Sequence, residues 1–167
     1  MALNFNAREV FDMGIQIEVN GKAFYEAAAK KTAETSVRDF FKELAAWENT
    51  HIALFTQLRD ELPTGAGAAD IFDPNGEAEA YIRATGDSHV FIRNADVAGM
   101  VAGCKGPVEM LDLAITFEKD SVVFYTTMKK VVAANLGQDK VDRIIDEELK
   151  HISMLTQRQA ALKARQP

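Results

Sequence analysis

The sequence predicts an all-α protein, a four-helix bundle made of two duplicated antiparallel helical hairpins joined by a long crossover connection. Two observations predict this fold. Prolines inside the 167-residue chain occur only at positions 63, 74 and 107, so long stretches on both sides of the middle lack helix breakers. In addition, the last 67 residues repeat much of the pattern of the first 67, which indicates two similar halves.

The first hairpin is predicted over about residues 6–62. Its first helix begins near Asn6, which forms a capping-box pattern with Glu9, and runs to about residue 33. The second helix follows a short turn, with Ser36 as its N-cap and Asp39 in its first turn. It ends near residue 62, before a segment that contains proline and glycine.

The second hairpin is predicted over about residues 106–164. Its first helix starts at Gly106-Pro107, because proline suits the first helical position, and continues to about Asn135. A break at Leu136-Gly137 separates it from the last helix, which runs from about Gln138 to Ala164. Each helix would contain about 25 to 29 residues and would be about 40 Å long.

The crossover connection covers about residues 63–105. A structureless loop of that length is uncommon in a compact domain, so we expect one or two short helices in it, such as Glu77 to Ala84. Residues 1–167 then form a single domain, long enough to bury about 70% of the surface that its unfolded chain would expose.

Composition excludes several classes of function. The chain has 25 acidic and 19 basic residues, a net charge of −6, which argues against a nucleic-acid or anionic-membrane partner. Neither a long apolar segment nor the ordered regions of a signal peptide are found, so we expect a cytoplasmic protein. The single cysteine, Cys104, cannot form an internal disulfide or a four-cysteine metal module.

The two halves align without a gap when residues 1–67 are placed over residues 101–167. Sixteen positions are then identical, where unrelated sequences of ordinary composition would share roughly four. The matching pairs include Ile15/Ile115, Glu18/Glu118, Phe24/Phe124, Tyr25/Tyr125, Glu48/Glu148, His51/His151, Ile52/Ile152, Thr56/Thr156 and Gln57/Gln157. This repeat predicts two hairpins related by a pseudo-two-fold axis.

The repeat preserves a set of residues that can bind metal. Each half has one glutamate on its first helix, Glu18 or Glu118, and a Glu-x-x-His pair on its second helix, Glu48 with His51 or Glu148 with His151. Helical spacing places these residues on apolar faces, where an unpaired carboxylate would cost several kcal/mol. No lysine or arginine repeats on those faces, whereas two divalent cations would balance four carboxylates.

Residues at i and i+3 project from one side of a helix, so each Glu-x-x-His pair can bind one ion together with the glutamate of the neighbouring helix. A lone Glu-x-x-His is a weak signal, but two copies at a fixed offset, each with a glutamate 30 residues earlier, predict a dinuclear site. The ions would lie about 3.5 to 4 Å apart. Carboxylate and imidazole ligands suit iron or manganese, and zinc also binds such ligands.

These features resemble the rubrerythrin-type branch of the ferritin-like di-iron superfamily, over essentially the whole chain. The resemblance is carried by the segment Leu113–Ser121 and by the segment Trp47–His51. It implies a ferritin-like bundle with a di-iron centre that reduces peroxide or dioxygen or oxidises ferrous iron, often in a homodimer. The ligands that it implies are Glu18, Glu48, His51, Glu118, Glu148 and His151, with Glu48 and Glu148 as bridges.

The sequence departs from the rubrerythrin pattern at two points. Full-length rubrerythrins carry a rubredoxin-like domain with four cysteines, which this sequence lacks, so we expect electrons from an external donor such as a rubredoxin-like protein. The position of an additional glutamate, three residues after Glu118, is occupied by Ser121. Gly21 is its counterpart in the first half, and both small residues would leave space for peroxide or oxygen.

A few other residues are weaker candidates. Tyr25 and Tyr125 follow the metal glutamates by seven residues on the same face and are expected to hydrogen-bond a ligand carboxylate. Glu147 is an alternative to Glu148, but only Glu148 has the i+3 spacing and matches Glu48. His89 has no counterpart in the other half.

Three functions are consistent with this reading. The leading hypothesis is a di-iron redox protein that uses peroxide or dioxygen as its small-molecule substrate. The second is a non-enzymatic protein that sequesters or delivers iron. The third is a dimanganese site that disproportionates peroxide.

Overall fold

A computed structural model describes residues 6–64, 73, 75–88, 96–132 and 134–165. These residues form six α-helices, so the all-α prediction is confirmed. The helices are α1 (Ala7–Lys31), α2 (Thr35–Asp60), α3 (Glu77–Ser88), α4 (Val97–Gly103), α5 (Pro107–Val131) and α6 (Gln138–Lys163).

The four long helices form two antiparallel hairpins. Helix α1 packs along α2, and α5 packs along α6. The hairpins meet through contacts of α1 with α5 and of α2 with α6, which completes a four-helix bundle. Its centre is filled by large side chains that are fully buried, among them Phe11, Phe24, Phe41, Phe55, Phe124, Leu44 and Leu111.

The capping box predicted at the start of α1 is confirmed. The Asn6 side chain accepts a hydrogen bond from the Glu9 amide, and the Glu9 carboxylate accepts one from the Asn6 amide, both at 3.0 Å. The N-cap predicted for α2 is wrong, because the helix begins one residue before Ser36 and its N-cap is Glu34. The Ser36 hydroxyl instead donates a hydrogen bond to the Glu34 carboxylate, and Asp39 lies beyond the first turn.

Helix α5 ends at Val131, earlier than the predicted end near Asn135. Val132 takes an extended conformation, and the Gln138 side chain donates hydrogen bonds to the carbonyls of Lys129 and Val132. These bonds satisfy carbonyls at the end of the helix that have no partner within it. A 3₁₀ turn at Ala134–Leu136 then leads to Gly137, the predicted break, which has a φ of +98°.

The crossover connection holds two helices, as expected for its length. The helix expected from Glu77 continues to Ser88 as α3, which packs on α5, and α4 packs on α1. The Lys31 ammonium group, at the end of α1, donates hydrogen bonds to three carbonyls near the C-terminus of α4. None of the described helices is long and apolar enough to cross a membrane.

Candidate metal centre

The six glutamate and histidine side chains singled out by the repeat meet in the middle of the bundle. One comes from α1, one from α5, two from α2 and two from α6. Each is between 1% and 4% exposed to solvent: Glu18, Glu48, His51, Glu118, Glu148 and His151. The structure therefore brings together every residue of the predicted ligand set in one buried cluster.

Each histidine directs its Nδ1 atom into this cluster. His51 Nδ1 lies 3.0 Å from a Glu148 oxygen, 3.4 Å from a Glu18 oxygen and 3.8 Å from a Glu48 oxygen. His151 Nδ1 lies 3.0 Å from the other Glu148 oxygen and 3.6 Å from Glu118. The nitrogen that faces the carboxylates is thus the same in both halves.

The donor atoms form two overlapping groups of four. One group contains Glu18, Glu48, His51 and Glu148, and the other contains Glu48, Glu118, Glu148 and His151. Within each group, the four donor atoms lie within 4.8 Å of one another. Glu48 and Glu148 belong to both groups, so each of them is placed to contact two ions at once.

Two atoms of the cluster are left without a hydrogen bond. Among the described residues, His51 Nδ1 and Glu148 Oε1 are buried and have no hydrogen-bond partner. They lie 3.0 Å apart, but the direction of this contact is not that of a hydrogen bond. A cation between donor atoms would satisfy both, so the residues present fit a bound metal.

The four carboxyl groups divide into two kinds in the metal-free protein. Burial, reinforced by the neighbouring carboxylate of Glu18, raises the pKa of Glu48 well above its usual value. Burial and the charges of Glu118 and Glu18 raise the pKa of Glu148 to about 8. Burial acts in the same direction on Glu18 and Glu118, but contacts of Glu18 with Glu48 and His51, and of Glu118 with His151 and Glu148, outweigh it and lower the pKa of both.

Both histidines are protonated in the metal-free protein at neutral pH. Although burial lowers the pKa of a histidine, the carboxylates of Glu148 and Glu18 raise the pKa of His51 to about 12. Those of Glu118 and Glu148 raise the pKa of His151 to about 9. The two imidazolium ions then lie beside the ionised Glu18 and Glu118. The four carboxylates of the cluster, all ionised, would balance two divalent cations.

The two tyrosines that recur in the repeat contact the cluster, one from each hairpin. Tyr25 donates a hydrogen bond to Glu118, and Tyr125 donates one to Glu18. Burial, together with the nearby carboxylates, raises the pKa of both tyrosines well above the usual value, so the hydroxyls stay protonated. Each tyrosine therefore orients the glutamate of the other hairpin.

Two further residues contact the histidines from outside the cluster. Glu147, weighed above as an alternative ligand, is half-exposed and lies 2.8 Å from His51 Nε2. Trp47, which sequence reasoning used only as part of a motif, stacks on the His151 ring at 4.8 Å with an interplanar angle of 4°. The alignment of the halves pairs residue 47 with residue 147, but the two residues differ, so the repeat contained no signal for either contact.

A small cavity of about 10 Å³ lies beside the cluster. Gly21 and Ser121 both line it, as do Tyr25 and three of the cluster glutamates. A cavity of this size holds about one water molecule, which limits any molecule bound there to a very small one. A larger surface groove of about 440 Å³ between α1 and α2 contains none of the six cluster residues.

Three other residues that could offer a ligand atom are not part of the cluster: Cys104, Glu77 and Glu79. Cys104 is buried, and its thiol contacts the carbonyl of Met100. Glu77 is exposed, and Glu79 forms an ion pair with Arg83 on α3. His89 lies outside the described residues.

The fold and this buried set of carboxylates and imidazoles define a ferritin-like helical bundle with a candidate dinuclear centre. A solved structure from Thermotoga maritima, described as a candidate ferritin-like diiron-carboxylate protein, has the same fold, with a TM-score of 0.72. The two chains are 21% identical, and the match covers 96% of this chain and 98% of that one. No protein-family model and no curated protein matches the sequence.

Proposed function

We propose that this protein binds two divalent transition-metal ions, iron in particular, and uses them in redox chemistry with peroxide or dioxygen. The observation that carries the proposal is the pair of overlapping four-residue groups that share Glu48 and Glu148. Glu18 and His51 would hold one ion, Glu118 and His151 the other. The two shared glutamates would contact both ions, as expected for a two-metal site.

The donor set favours iron or manganese. It consists of carboxylates and imidazoles without a thiolate, and four carboxylate charges would cancel the four positive charges of two divalent ions. The similar protein from Thermotoga maritima is described as a candidate diiron-carboxylate protein, which favours iron. Zinc binds the same donor atoms but has no redox chemistry, so the metal content decides whether the proposal stands.

A bound pair of ferrous ions would supply the two electrons that convert one hydrogen peroxide and two protons into two waters. The sequence holds a single cysteine, so the electrons that reduce the centre again would come from an external one-electron donor, such as a rubredoxin-like protein. The tyrosines hold Glu18 and Glu118 in position, and the cavity beside Gly21 admits only a very small oxidant.

Anaerobic loading with ferrous iron, followed by metal counting, tests the binding step. We expect about two iron ions per chain in the wild-type protein. The double variant Glu48→Gln with Glu148→Gln should lose both ions, because each glutamate serves both positions. Glu43→Gln is the matched control, since it makes the same change at an exposed position of α2.

Stopped-flow absorbance after mixing the loaded protein with peroxide or with dioxygen tests the redox step. We expect oxidation of both ions, with one of the two oxidants reacting faster. Binding without oxidation by either oxidant would contradict the redox function and would leave sequestration or delivery of iron. We also expect a small oligomer, such as a homodimer, in size-exclusion chromatography, whereas a storage cage would elute as a far larger particle.

A further inference from the structure

The residues immediately before the two Glu-x-x-His pairs differ, although the pairs themselves are repeated. Position 47 is tryptophan and position 147 is glutamate. Each side chain reaches the histidine of the opposite hairpin: Glu147 on α6 contacts His51 on α2, and Trp47 on α2 contacts His151 on α6. The pseudo-two-fold symmetry of the cluster is therefore broken just outside it.

Glu147 fixes the hydrogen position on His51. A carboxylate can only accept a hydrogen bond, so the contact of 2.8 Å places a hydrogen on Nε2. In the neutral ring, the lone pair then lies on Nδ1, the atom that faces Glu18, Glu48 and Glu148. A carboxylate on the outer nitrogen also makes the inner nitrogen a stronger electron donor.

Among the described residues, His151 has no counterpart of Glu147, a carboxylate outside the cluster that contacts the ring. Its Nδ1 atom contacts Glu118 and Glu148, and no carboxylate other than these two lies within 4.0 Å of its ring nitrogens in the described part of the chain. Trp47 contacts the face of the ring, at a centroid distance of 4.8 Å. The stacked indole ring restricts the tilt of the imidazole, but it offers no acceptor for a hydrogen bond in the plane of the imidazole.

We infer that Glu147 is a positioning residue that makes the two metal positions inequivalent, so that the position of Glu18 and His51 binds its ion first and more tightly. The inference rests on the proposed dinuclear site. An outer partner of a metal-binding histidine typically changes affinity by about 10- to 100-fold, which is large enough to separate the two binding steps. The position of Glu118 and His151 would then fill second.

Titration of the metal-free protein with Co²⁺ under anaerobic conditions tests the inference. Visible absorbance reports each ion as it enters, so no enzymatic activity is needed. For the wild-type protein we expect two steps, separated by about 10-fold or more in dissociation constant. Glu147→Leu should weaken the first step by about 10- to 100-fold and bring the two steps together. Glu147→Gln keeps an acceptor oxygen but loses the charge. The dissociation constant of its first step should therefore lie between those of the wild type and Glu147→Leu.

Matched variants separate the role of Glu147 from general effects. Asp146→Asn removes the same charge from the neighbouring exposed position, and both steps should remain as in the wild type. Trp47→Glu offers His151 the partner that it lacks, so the second step should tighten.

The outcomes distinguish this inference from the proposed function. If no Co²⁺ binds to the wild-type protein, the dinuclear site itself is wrong. Two ions that bind with equal affinity, or a first step that Glu147→Leu and Glu147→Gln leave unchanged, would overturn the inference alone. Because Glu147 is half-exposed, its replacement should preserve folding, and circular dichroism of each metal-free variant checks this.

Discussion

Tyr25 on α1 donates a hydrogen bond to Glu118 on α5, and its counterpart Tyr125 on α5 donates one to Glu18 on α1. Each hairpin thus holds the candidate metal-binding glutamate of the other hairpin. All four side chains are buried, so water does not compete for these two hydrogen bonds. The two hairpins are linked at the cluster by polar contacts as well as by apolar packing.

Removal of one tyrosine hydroxyl should destabilise the metal-free protein. Tyr25→Phe would leave the Glu118 oxygen buried without its donor, at a cost of about 1 to 3 kcal/mol in the free energy of unfolding. Tyr125→Phe should cost a similar amount through Glu18. Urea unfolding, followed by circular dichroism, measures both variants and the double variant. An unchanged urea midpoint would show that these hydrogen bonds do not stabilise the fold.

Metal binding should release protons. At pH 7 His51 and His151 of the metal-free cluster each hold a proton that a metal on Nδ1 would displace, and the raised pKa of Glu48 and Glu148 favours further protons on these carboxyl groups. Two ions should therefore displace at least two protons per chain. Calorimetry in buffers of different ionisation enthalpy counts them. Fewer than about two protons at pH 7 would contradict the protonation states described above.

The same shifts determine how the stability of the metal-free protein depends on pH. A raised pKa means that the folded state binds the proton more tightly than the unfolded state, so stability falls as pH rises. The contribution of Glu148 to the free energy of unfolding should be lost between about pH 4.5 and 8. The contribution of His151 should be lost between about pH 6.5 and 9. Metal affinity should rise over the same interval, because fewer protons compete with the ions.

Two glutamates of the cluster should respond differently to replacement by glutamine. Glutamine resembles the protonated form of Glu48, so Glu48→Gln should change the unfolding free energy of the metal-free protein by less than about 1 kcal/mol. Glu18 is held ionised next to His51, so Glu18→Gln should cost about 3 kcal/mol or more.

When metal is present, Glu48→Gln should also reduce stability, because it removes a ligand of both ions. At 100 times the dissociation constant, one bound ion stabilises a protein by about 2.7 kcal/mol, and Glu48→Gln should lose this stabilisation at both positions. Thermal unfolding with and without Mn²⁺ measures the difference. Equal metal-induced shifts in the wild type and in Glu48→Gln would argue against the shared role of Glu48.

The regular part of this fold could be predicted from sequence because its signals are local. The capping box at Asn6, the proline at the first position of α5 and the break at Gly137 each depend on a few adjacent residues. The cluster could be predicted because the sequence contains it twice. A single half would have shown only one weak Glu-x-x-His pattern.

What the sequence did not reveal depends on side-chain contacts that helix propensity and spacing do not indicate. Ser36 is a good N-cap residue by propensity, yet the helix begins before it. The end of α5 depends on Gln138, which returns from the next helix to bind its last carbonyls. The stacking of Trp47 on His151 joins residues 104 positions apart, and no local pattern indicates such a contact.

Gly137 should be required for the turn between α5 and α6. Its φ of +98° is strained for any residue with a side chain, and an added Cβ would lie 2.3 Å from Leu58 Cδ2. Gly137→Ala should therefore lower the free energy of unfolding by about 1 to 3 kcal/mol. Gly103→Ala is the control, because nothing lies within 4 Å of its added Cβ in the described structure. If the two variants have the same urea midpoint, the turn does not require glycine.

Gly21 should control access of the oxidant to the metal pair. A Cβ at this position would lie 3.5 Å from Glu48 Cδ, an ordinary contact, so Gly21→Ala should fold and still bind two ions. The methyl group would nevertheless occupy part of a cavity of only about 10 Å³. We expect the reaction with peroxide to slow by about tenfold, because the oxidant can no longer reach a productive position. Ferricyanide takes electrons without entering the protein, so its reaction rate should not change. If Gly21→Ala slows both oxidants equally, or neither, the cavity is not the route to the metal ions.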